Sequence, residues 1–169
     1  MIGFSILVCG NNFMTRDEHW MQIAIEEAKL AMKENEVPVG AVIVKNNNLI
    51  AQAHNQPVNN NDPTAHAEIV AIRNACTELN TFDLSGCEMY TSCEPCPMCL
   101  SAIYWSHIDI VYYGNSRENA AEIDFDDKFI YDEMKKDIDE RKIPLKQILK
   151  DEAIKAFNLW AQTENKTKY

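Results

Sequence analysis

The sequence is short of glycine, proline and basic residues. Only 5 of its 169 residues are glycine and 6 are proline, which excludes collagen-like and flexible-linker sequences. No apolar run approaches the roughly 20 residues that a membrane-spanning helix needs, so we expect no membrane association. The 16 basic residues are outnumbered by 26 acidic ones, which gives a formal net charge of −10. Because phosphate contacts need Lys and Arg, this balance disfavours a nucleic-acid partner.

The rest of the composition is that of a globular chain. Apolar residues make up 46% and charged residues 25% of the sequence, and the length suits one domain. We expect residues 14–169 to form this domain, and residues 1–13, with a short apolar stretch, to be a leader. The leader lacks the positive start and the cleavage site of a signal peptide, which predicts a cytoplasmic protein. In that reducing compartment the six cysteines are not expected to form disulfides.

Hydrophobic periodicity predicts helices packed on a mixed sheet. Apolar residues recur with a helical period in some segments, while short β-branched runs are typical of strands. The acidic stretch 118–127 is predicted to be a loop, and Asp62 or Thr64 to cap the second helix. The predicted helices are Arg16–Glu34, Thr64–Cys76, Cys96–Ser106, a segment near Tyr131–Arg141 and Asp151–Trp160, and the predicted strands are Gly40–Lys45, Leu49–Asn55, Gly86–Ser92 and Ile108–Gly114.

Two short motifs at the starts of predicted helices carry metal-ligand residues. Residues 66–68 read H-A-E, and residues 95–99 read P-C-P-M-C. Zn²⁺ binds imidazole and thiolate readily, and catalytic zinc sites use three protein ligands and keep a fourth position for water. In a helical first turn, the sulfurs of Cys96 and Cys99 face the same way, and unpaired N–H groups there favour thiolates. The pattern predicts a zinc ion held by His66, Cys96 and Cys99, as in zinc-dependent deaminases.

Glu68 is predicted to carry protons beside this ion. If His66 and Glu68 lie at the first turn of their helix, both side chains can point into one pocket. A carboxylate beside activated water can take up a proton and return it to the substrate and the departing amine. A purely structural zinc site has no use for such a group. Intact Glu68 therefore argues against an inactive, zinc-stabilised interaction module.

Other interpretations of the cysteines are weaker. A single C-x-x-C also occurs in structural zinc sites and redox pairs, and Cys93, Cys96 and Cys99 resemble the start of an iron–sulfur motif. That motif needs a further cysteine at position 103, which is Ile103. We expect Cys93 to lie near the site without binding the ion. Packing or surface positions are expected for Cys9, Cys76, Cys87, His19, His54 and His107.

Segments 62–68 (DPTAHAE) and 91–99 (TSCEPCPMC) resemble the cytidine deaminase-like superfamily. The resemblance covers about residues 14–169. It implies an α/β fold, a three-layer α/β/α sandwich around a five-stranded mixed sheet. It also implies zinc-dependent hydrolytic deamination.

Two branches of this superfamily compete. Segments 18–21 (EHWM) and 37–42 (VPVGAV) resemble tRNA wobble adenosine deaminases, whereas segments 102–105 (AIYW) and 120–131 and the C-terminal pattern resemble bacterial guanine deaminases. The acidic balance agrees with a small-base substrate. We therefore expect conversion of guanine to xanthine and ammonia, with the tRNA enzyme and the inactive module as alternatives.

The resemblance to guanine deaminases also implies one zinc ion per subunit and a homodimer in which residues 151–169 cross to the partner. In one departure from that family, Val39 stands where the guanine enzymes carry a phenylalanine in the pocket. The resemblance also implies five substrate-binding residues. Asn55 and the backbone N–H of Ala67 orient the purine, and Trp105 and Asp127 contact it. The final residue, Tyr169, closes the site.

Overall fold

The computed structural model describes residues 14–167, so the predicted leader and Tyr169 lie outside the described residues. Along this part of the chain, the predicted helices and strands occur in the predicted order, and two short helices, α2 and α5, are added in stretches that were predicted to be loops. In chain order the elements are α1 (Arg16–Lys33), β1 (Gly40–Lys45), β2 (Asn48–His54), α2 (Pro57–Asn60), α3 (Ala67–Glu78), β3 (Cys87–Cys93), α4 (Pro97–Trp105), β4 (Ile110–Asn115), α5 (Arg117–Ala121), α6 (Lys128–Lys135) and α7 (Lys150–Gln162).

The sheet is mixed, as predicted, but residues 14–167 contribute four strands to it and not five. Its order is β2-β1-β3-β4. β1 pairs antiparallel with both β2 and β3, and β3 pairs parallel with β4. The expectation of five strands was wrong because, after β4, the described chain forms three helices, α5, α6 and α7, and no further strand. Ser116 caps α5, and its backbone N–H donates to Asn119 Oδ1 at 3.2 Å.

Helices cover both faces of the sheet, and the alternation of side chains along β1 shows how. Ala41 and Ile43 point to one face and pack in a buried cluster with Ala71 of α3. Val42 and Val44 point to the opposite face, in a cluster with Trp20 of α1 and others. Since successive side chains of a strand face opposite sides, a strand that is apolar throughout must be buried on both. The result is three layers, with the sheet in the middle.

The start of β1 passes very close to α1. A Cβ atom added to Gly40 would lie 2.2 Å from the Ala24 carbonyl oxygen, so only glycine fits there. α1 itself begins with a capping box, in which Thr15 Oγ1 accepts from the Glu18 N–H at 3.2 Å and Thr15 N–H donates to Glu18 Oε2 at 2.7 Å. The capping box therefore fixes the N-terminal end of α1.

Two local predictions need correction. α3 begins at Ala67 and not at Thr64, because Thr64 donates through its N–H and hydroxyl to Asp62 Oδ1, at 2.8 and 2.7 Å, in a turn before the helix. Neither residue is the N-cap; His66 takes that position. The acidic stretch 118–127 is not all loop, since α5 occupies its first part. None of the helices described combines the length and apolar character needed to cross a bilayer.

Candidate active site and metal centre

The three candidate ligands lie where the N-terminal ends of α3 and α4 meet. His66 is the N-cap of α3 and Cys96 the N-cap of α4, both with extended backbone, and Cys99 lies in the first turn of α4. The His66 side chain makes no capping bond to its own helix. Pro97 is tolerated at the first helical position because its missing N–H has no helical partner there. The positive ends of both helices favour negative charge on the sulfurs.

The distances between the three donor atoms suit a tetrahedral ion. His66 Nδ1 lies 3.6 Å from Cys96 Sγ and 3.5 Å from Cys99 Sγ, and all three atoms lie within 4.8 Å of one another. Zinc–nitrogen and zinc–sulfur bonds of ordinary length at a tetrahedral angle place nitrogen and sulfur about 3.5 Å apart. One imidazole and two thiols are also donors that zinc prefers. The residues present therefore fit a zinc ion with three protein ligands.

Glu68 is buried beside this cluster. Its side chain lies in the first turn of α3 and the residue is 3% exposed. The Cys99 thiol lies 3.5 Å from Glu68 Oε2, and the Thr91 hydroxyl on β3 lies 3.5 Å from Oε1. Burial raises the pKa of Glu68, because a charged carboxylate loses its hydration there. A carboxyl with a raised pKa can both accept and donate a proton near neutral pH.

The ligand residues themselves share negative charge. The hydrogen bond from the Cys99 thiol, assisted by His66, lowers the pKa of Cys96 to about 4. The same contact raises the pKa of Cys99, and the contact with Cys96 raises the pKa of His66. Cys96 is thus a thiolate stabilised by neighbouring protons. A divalent cation can replace such protons, since metal binding and ligand deprotonation are coupled.

Asn55 is held directly behind the start of α3. It is 1% exposed, and its Oδ1 accepts a hydrogen bond from the Ala67 N–H at 2.8 Å. Its own N–H donates to the Val39 carbonyl at 3.0 Å. The Ala67 N–H is therefore bonded to Asn55 and not directed at a ligand. This hydrogen bond fixes the orientation of the Asn55 amide beside the start of α3.

A cleft opens over the candidate ligands and Glu68, and Asp127 lies in its wall. Asp127 is the N-cap residue of α6, and burial raises its pKa, as does the negative charge of Cys96. Val39 forms another part of the wall. The residues that line the cleft are Val39, His66, Glu68, Cys93, Glu94, Cys96, Arg117, Ala120, Phe125 and Asp127.

Two residues in this wall were not singled out from the sequence. The Phe125 ring lies 5.9 Å from the His66 ring at an interplanar angle of 48°, and it supplies an aromatic surface opposite the short side chain of Val39. Arg117 brings a positive charge to the cleft. The signal for Phe125 was a lone aromatic residue inside the acidic stretch. For Arg117, nothing in the sequence relates position 117 to the two motifs.

Two other predicted substrate-binding residues lie elsewhere. Trp105, at the end of α4, is 64% exposed and does not line the cleft within one chain. Tyr169 lies outside the described residues. Cys93 lines the cleft but is not part of the donor cluster. Among residues 14–167, His66, Cys96 and Cys99 form the one group of histidine, cysteine and carboxylate side chains close enough to share an ion.

Comparisons with known proteins agree with this geometry. Residues 14–115 match the family described as the cytidine and deoxycytidylate deaminase zinc-binding region. Guanine deaminase of Bacillus subtilis (strain 168) is 49% identical over 132 residues, which cover 78% of this chain and 85% of that protein. The tRNA-specific adenosine deaminase of Aquifex aeolicus (strain VF5) is 49% identical over 97 residues, 57% of this chain and 64% of that protein.

The fold comparison points the same way. The X-ray structure of guanine deaminase from Bacillus subtilis superposes with a TM-score of 0.87 at 44% sequence identity, over 90% of this chain and 98% of that one. The matched family segment contains both motifs and all four strands. This protein therefore belongs to the cytidine and deoxycytidylate deaminase family of zinc-binding deaminases.

Proposed function

We propose that this protein hydrolyses guanine, as the free base, to xanthine and ammonia. The observation that carries the proposal is the buried Glu68 carboxyl beside the His66–Cys96–Cys99 cluster, which suits a hydrolytic deaminase better than a structural zinc site. The choice of guanine is supported by the relationship to the Bacillus subtilis guanine deaminase, which extends over 85% of that protein.

One zinc ion per chain is part of the proposal. Held by His66, Cys96 and Cys99, zinc would supply a Lewis acid that makes water a nucleophile near neutral pH. Glu68 does the remaining proton work. It accepts the proton that the attacking water gives up and delivers it to a ring nitrogen beside the carbon under attack. It then takes the remaining proton from the hydroxyl group now on that carbon and passes it to the amine, so that the C–N bond breaks, ammonia leaves and a carbonyl forms.

The base is oriented by residues on three sides of the cleft. Asn55 donates from Nδ2 to an acceptor on the purine, while the Ala67 N–H fixes its amide. Asp127 accepts from the N–H groups of the guanine edge, and Phe125 offers an aromatic face. In this proposal Trp105 and Tyr169 complete the site only in the assembled dimer, since Trp105 is outside the cleft of one chain.

Deamination of a tRNA wobble adenosine is the second candidate, because tRNA-specific adenosine deaminases are up to 49% identical over the segment they share with this chain. That segment covers 57% of this chain, whereas the guanine deaminase match covers 78%. The formal charge of −10 also opposes binding to an RNA backbone. Both observations favour the guanine reaction.

A substrate panel tests the proposal. Purified protein loaded with zinc is incubated with guanine, adenine, cytosine, cytidine and a tRNA anticodon stem-loop, and ammonia release is followed, with Glu68→Gln as the inactive control. We expect ammonia and xanthine from guanine. Deamination of the stem-loop alone would favour the tRNA enzyme, and no release from any substrate would favour the inactive interaction module.

A homodimer that exchanges residues 151–169 is also part of the proposal. No residue of α7 is buried in one chain. Its large apolar residues Phe157, Leu159 and Trp160 are 74%, 69% and 52% exposed. Strand β4 is a half-exposed edge of the sheet as well. Apolar surface of this kind is typical of an interface. Light scattering after gel filtration should give twice the chain mass of 19.3 kDa; a monomer would contradict the exchange.

We also propose a cytoplasmic location. The proposal rests on the described cysteines, Cys76, Cys87, Cys93, Cys96 and Cys99, which form no disulfide, since thiols stay reduced in that compartment. Cell fractionation would test this, and recovery from an oxidising compartment would contradict it.

A further inference from the structure

The two residues before ligand Cys96 each contact one of the helices that follow β4. Glu94 Oε2 accepts a hydrogen bond from the Arg117 N–H at 3.2 Å, at the start of α5. The Pro95 carbonyl accepts from the Tyr131 hydroxyl at 3.4 Å, in the middle of α6. The metal-binding loop and this helical segment are thus joined at two successive positions.

The two contacts are also joined to each other. The guanidinium carbon of Arg117 lies 5.2 Å from the centre of the Tyr131 ring, a distance at which a cation is attracted to an aromatic face. Glu94, Arg117 and Tyr131 therefore form one connected group, which we call the Tyr131 network.

The segment between the two helices carries part of the cleft wall, and Phe125 packs it against the core. Phe125 and Asp127 lie between α5 and α6 and both line the cleft. α5 buries only Ala120, and no residue of α6 is buried. Phe125 anchors the α5 side of Asp127 in the core, whereas on the α6 side, where no residue is buried, the contact of Tyr131 with the Pro95 carbonyl ties the helix to the metal-binding loop.

We infer that Tyr131 and Arg117 are positioning residues that hold Asp127 over the candidate metal centre and so determine how tightly the purine edge is bound. The inference rests on the proposed function for its substrate. It assigns no chemistry to either residue. Tyr131 acts through the Pro95 carbonyl, and Arg117 acts by contacting the Tyr131 ring.

A double-mutant cycle tests this inference. Tyr131→Phe removes the hydroxyl but keeps the ring for Arg117, and Asp127→Ala removes the group that the network positions. Loss of one hydrogen bond should raise KM for guanine about two- to tenfold, with kcat and zinc content changed by less than about twofold, because Glu68 and the ligands are untouched. In the Asp127→Ala background, Tyr131→Phe should change KM by less than about twofold, since groups that act through one another are not additive.

Tyr113→Phe is the matched control, because Tyr113 on β4 is an exposed tyrosine that does not line the cleft. It should leave KM unchanged. Arg117→Met should raise KM in the same direction as Tyr131→Phe. Fully additive effects of Tyr131→Phe and Asp127→Ala, or an unchanged KM in Tyr131→Phe, would overturn the inference while leaving the proposed function intact.

A second measurement does not depend on turnover. Hydrogen exchange of the backbone amides in residues 117–135 should be faster in Tyr131→Phe than in the parent protein, and exchange in α3 should be the same in both. If the parent protein fails to deaminate guanine, the proposed function fails, and the exchange experiment still decides on the network. Equal exchange rates in the two proteins would show that Tyr131 does not hold this segment.

Discussion

Helices α3 and α7 are nearly equal in length, with 12 and 13 residues, but they differ in what covers them. α3 lies on the sheet and buries five residues, among them Glu68, whereas α7 buries none. Both sequences contain enough apolar residues to form a buried face. The candidate metal centre is therefore supported by the core of a single chain, while the C-terminal helix carries an apolar face that the described residues 14–167 leave uncovered.

The largest effect is expected from a change on the buried helix that leaves its packing intact. Glu68→Gln keeps the shape of the side chain but removes the proton carrier, so kcat for guanine should fall by about 10²–10⁴-fold. Zinc content and the oligomeric state should not change. Retention of more than a tenth of the activity would remove Glu68 from its role. Glu78→Gln, at the exposed end of the same helix, is the control.

The next test compares a core residue with a residue of the uncovered face. Ile43→Ala should lower the free energy of unfolding by about 2–5 kcal/mol at any protein concentration, because Ile43 is fully buried in one chain. Phe157→Ala should weaken association instead, so its cost should appear only at concentrations where the dimer forms. Urea unfolding over a range of concentrations measures both. If Phe157→Ala lowers the free energy of unfolding of the dilute monomer as much as that of the dimer, α7 is packed within its own chain.

Removal of the C-terminal residues 163–169 should show whether zinc binding and catalysis depend on different parts of the dimer. If Tyr169 closes the site of the partner, kcat/KM for guanine should fall about tenfold, the cost of one lost polar contact. The zinc content should stay the same, since none of the candidate ligands lies in this segment. Unchanged kinetics would mean that the tail takes no part in the reaction. Metal analysis on the same sample provides the control.

The smallest effect is expected from a polar contact between β2 and α1, in the part of the molecule that packs on the sheet. His54 Nδ1 contacts Glu27 of α1 at 2.8 Å, and its Nε2 contacts Glu34, the C-cap residue of that helix, at 3.3 Å. Burial alone would lower the pKa of His54, but the two carboxylates outweigh it and raise the pKa above the usual 6.5. A raised folded-state pKa stabilises the protein fully below the unfolded value and loses this effect as pH rises through the folded value.

The stability difference between the parent protein and His54→Gln should therefore be greatest at about pH 6 and below, and it should shrink as the pH rises through the raised folded-state pKa of His54. Urea titrations across that range measure it. Glu27→Gln should remove much of the same pH dependence. A difference that grows with pH would contradict the assignment.

Regular elements were the easiest features to predict from the sequence. The helical period of α1 and the apolar runs of β1 and β4 predicted those elements to within a few residues, because periodicity reports directly on which faces are buried. The exact ends of helices and strands were harder to predict. The prediction of Thr64 in α3 was wrong because Asp62 bonds to Thr64 in a turn, a local competition that periodicity does not register.

Parts of the candidate site could likewise be predicted from the sequence, and other parts could not. The spacing of H-A-E and P-C-P-M-C predicted the cluster that the structure brings together, since each motif orders its residues within a single helical turn. The cleft wall could not be predicted so well. Arg117 and Phe125 reach the cluster only because α5 and α6 fold back over the metal-binding loop, and Trp105 ends on the surface although its helix begins at the site.

By itself, the sequence determined the donor atoms, their spacing and the carboxyl group beside them, because the local geometry of a helix start places those groups together. Only the tertiary structure decided how two helix starts 30 residues apart (His66 to Cys96) meet at hydrogen-bonding distance, and that the Ala67 N–H is bonded to Asn55. It also decided that α7 stays uncovered. These features depend on which surfaces are buried against each other, and that is a property of the packed chain and not of any short segment.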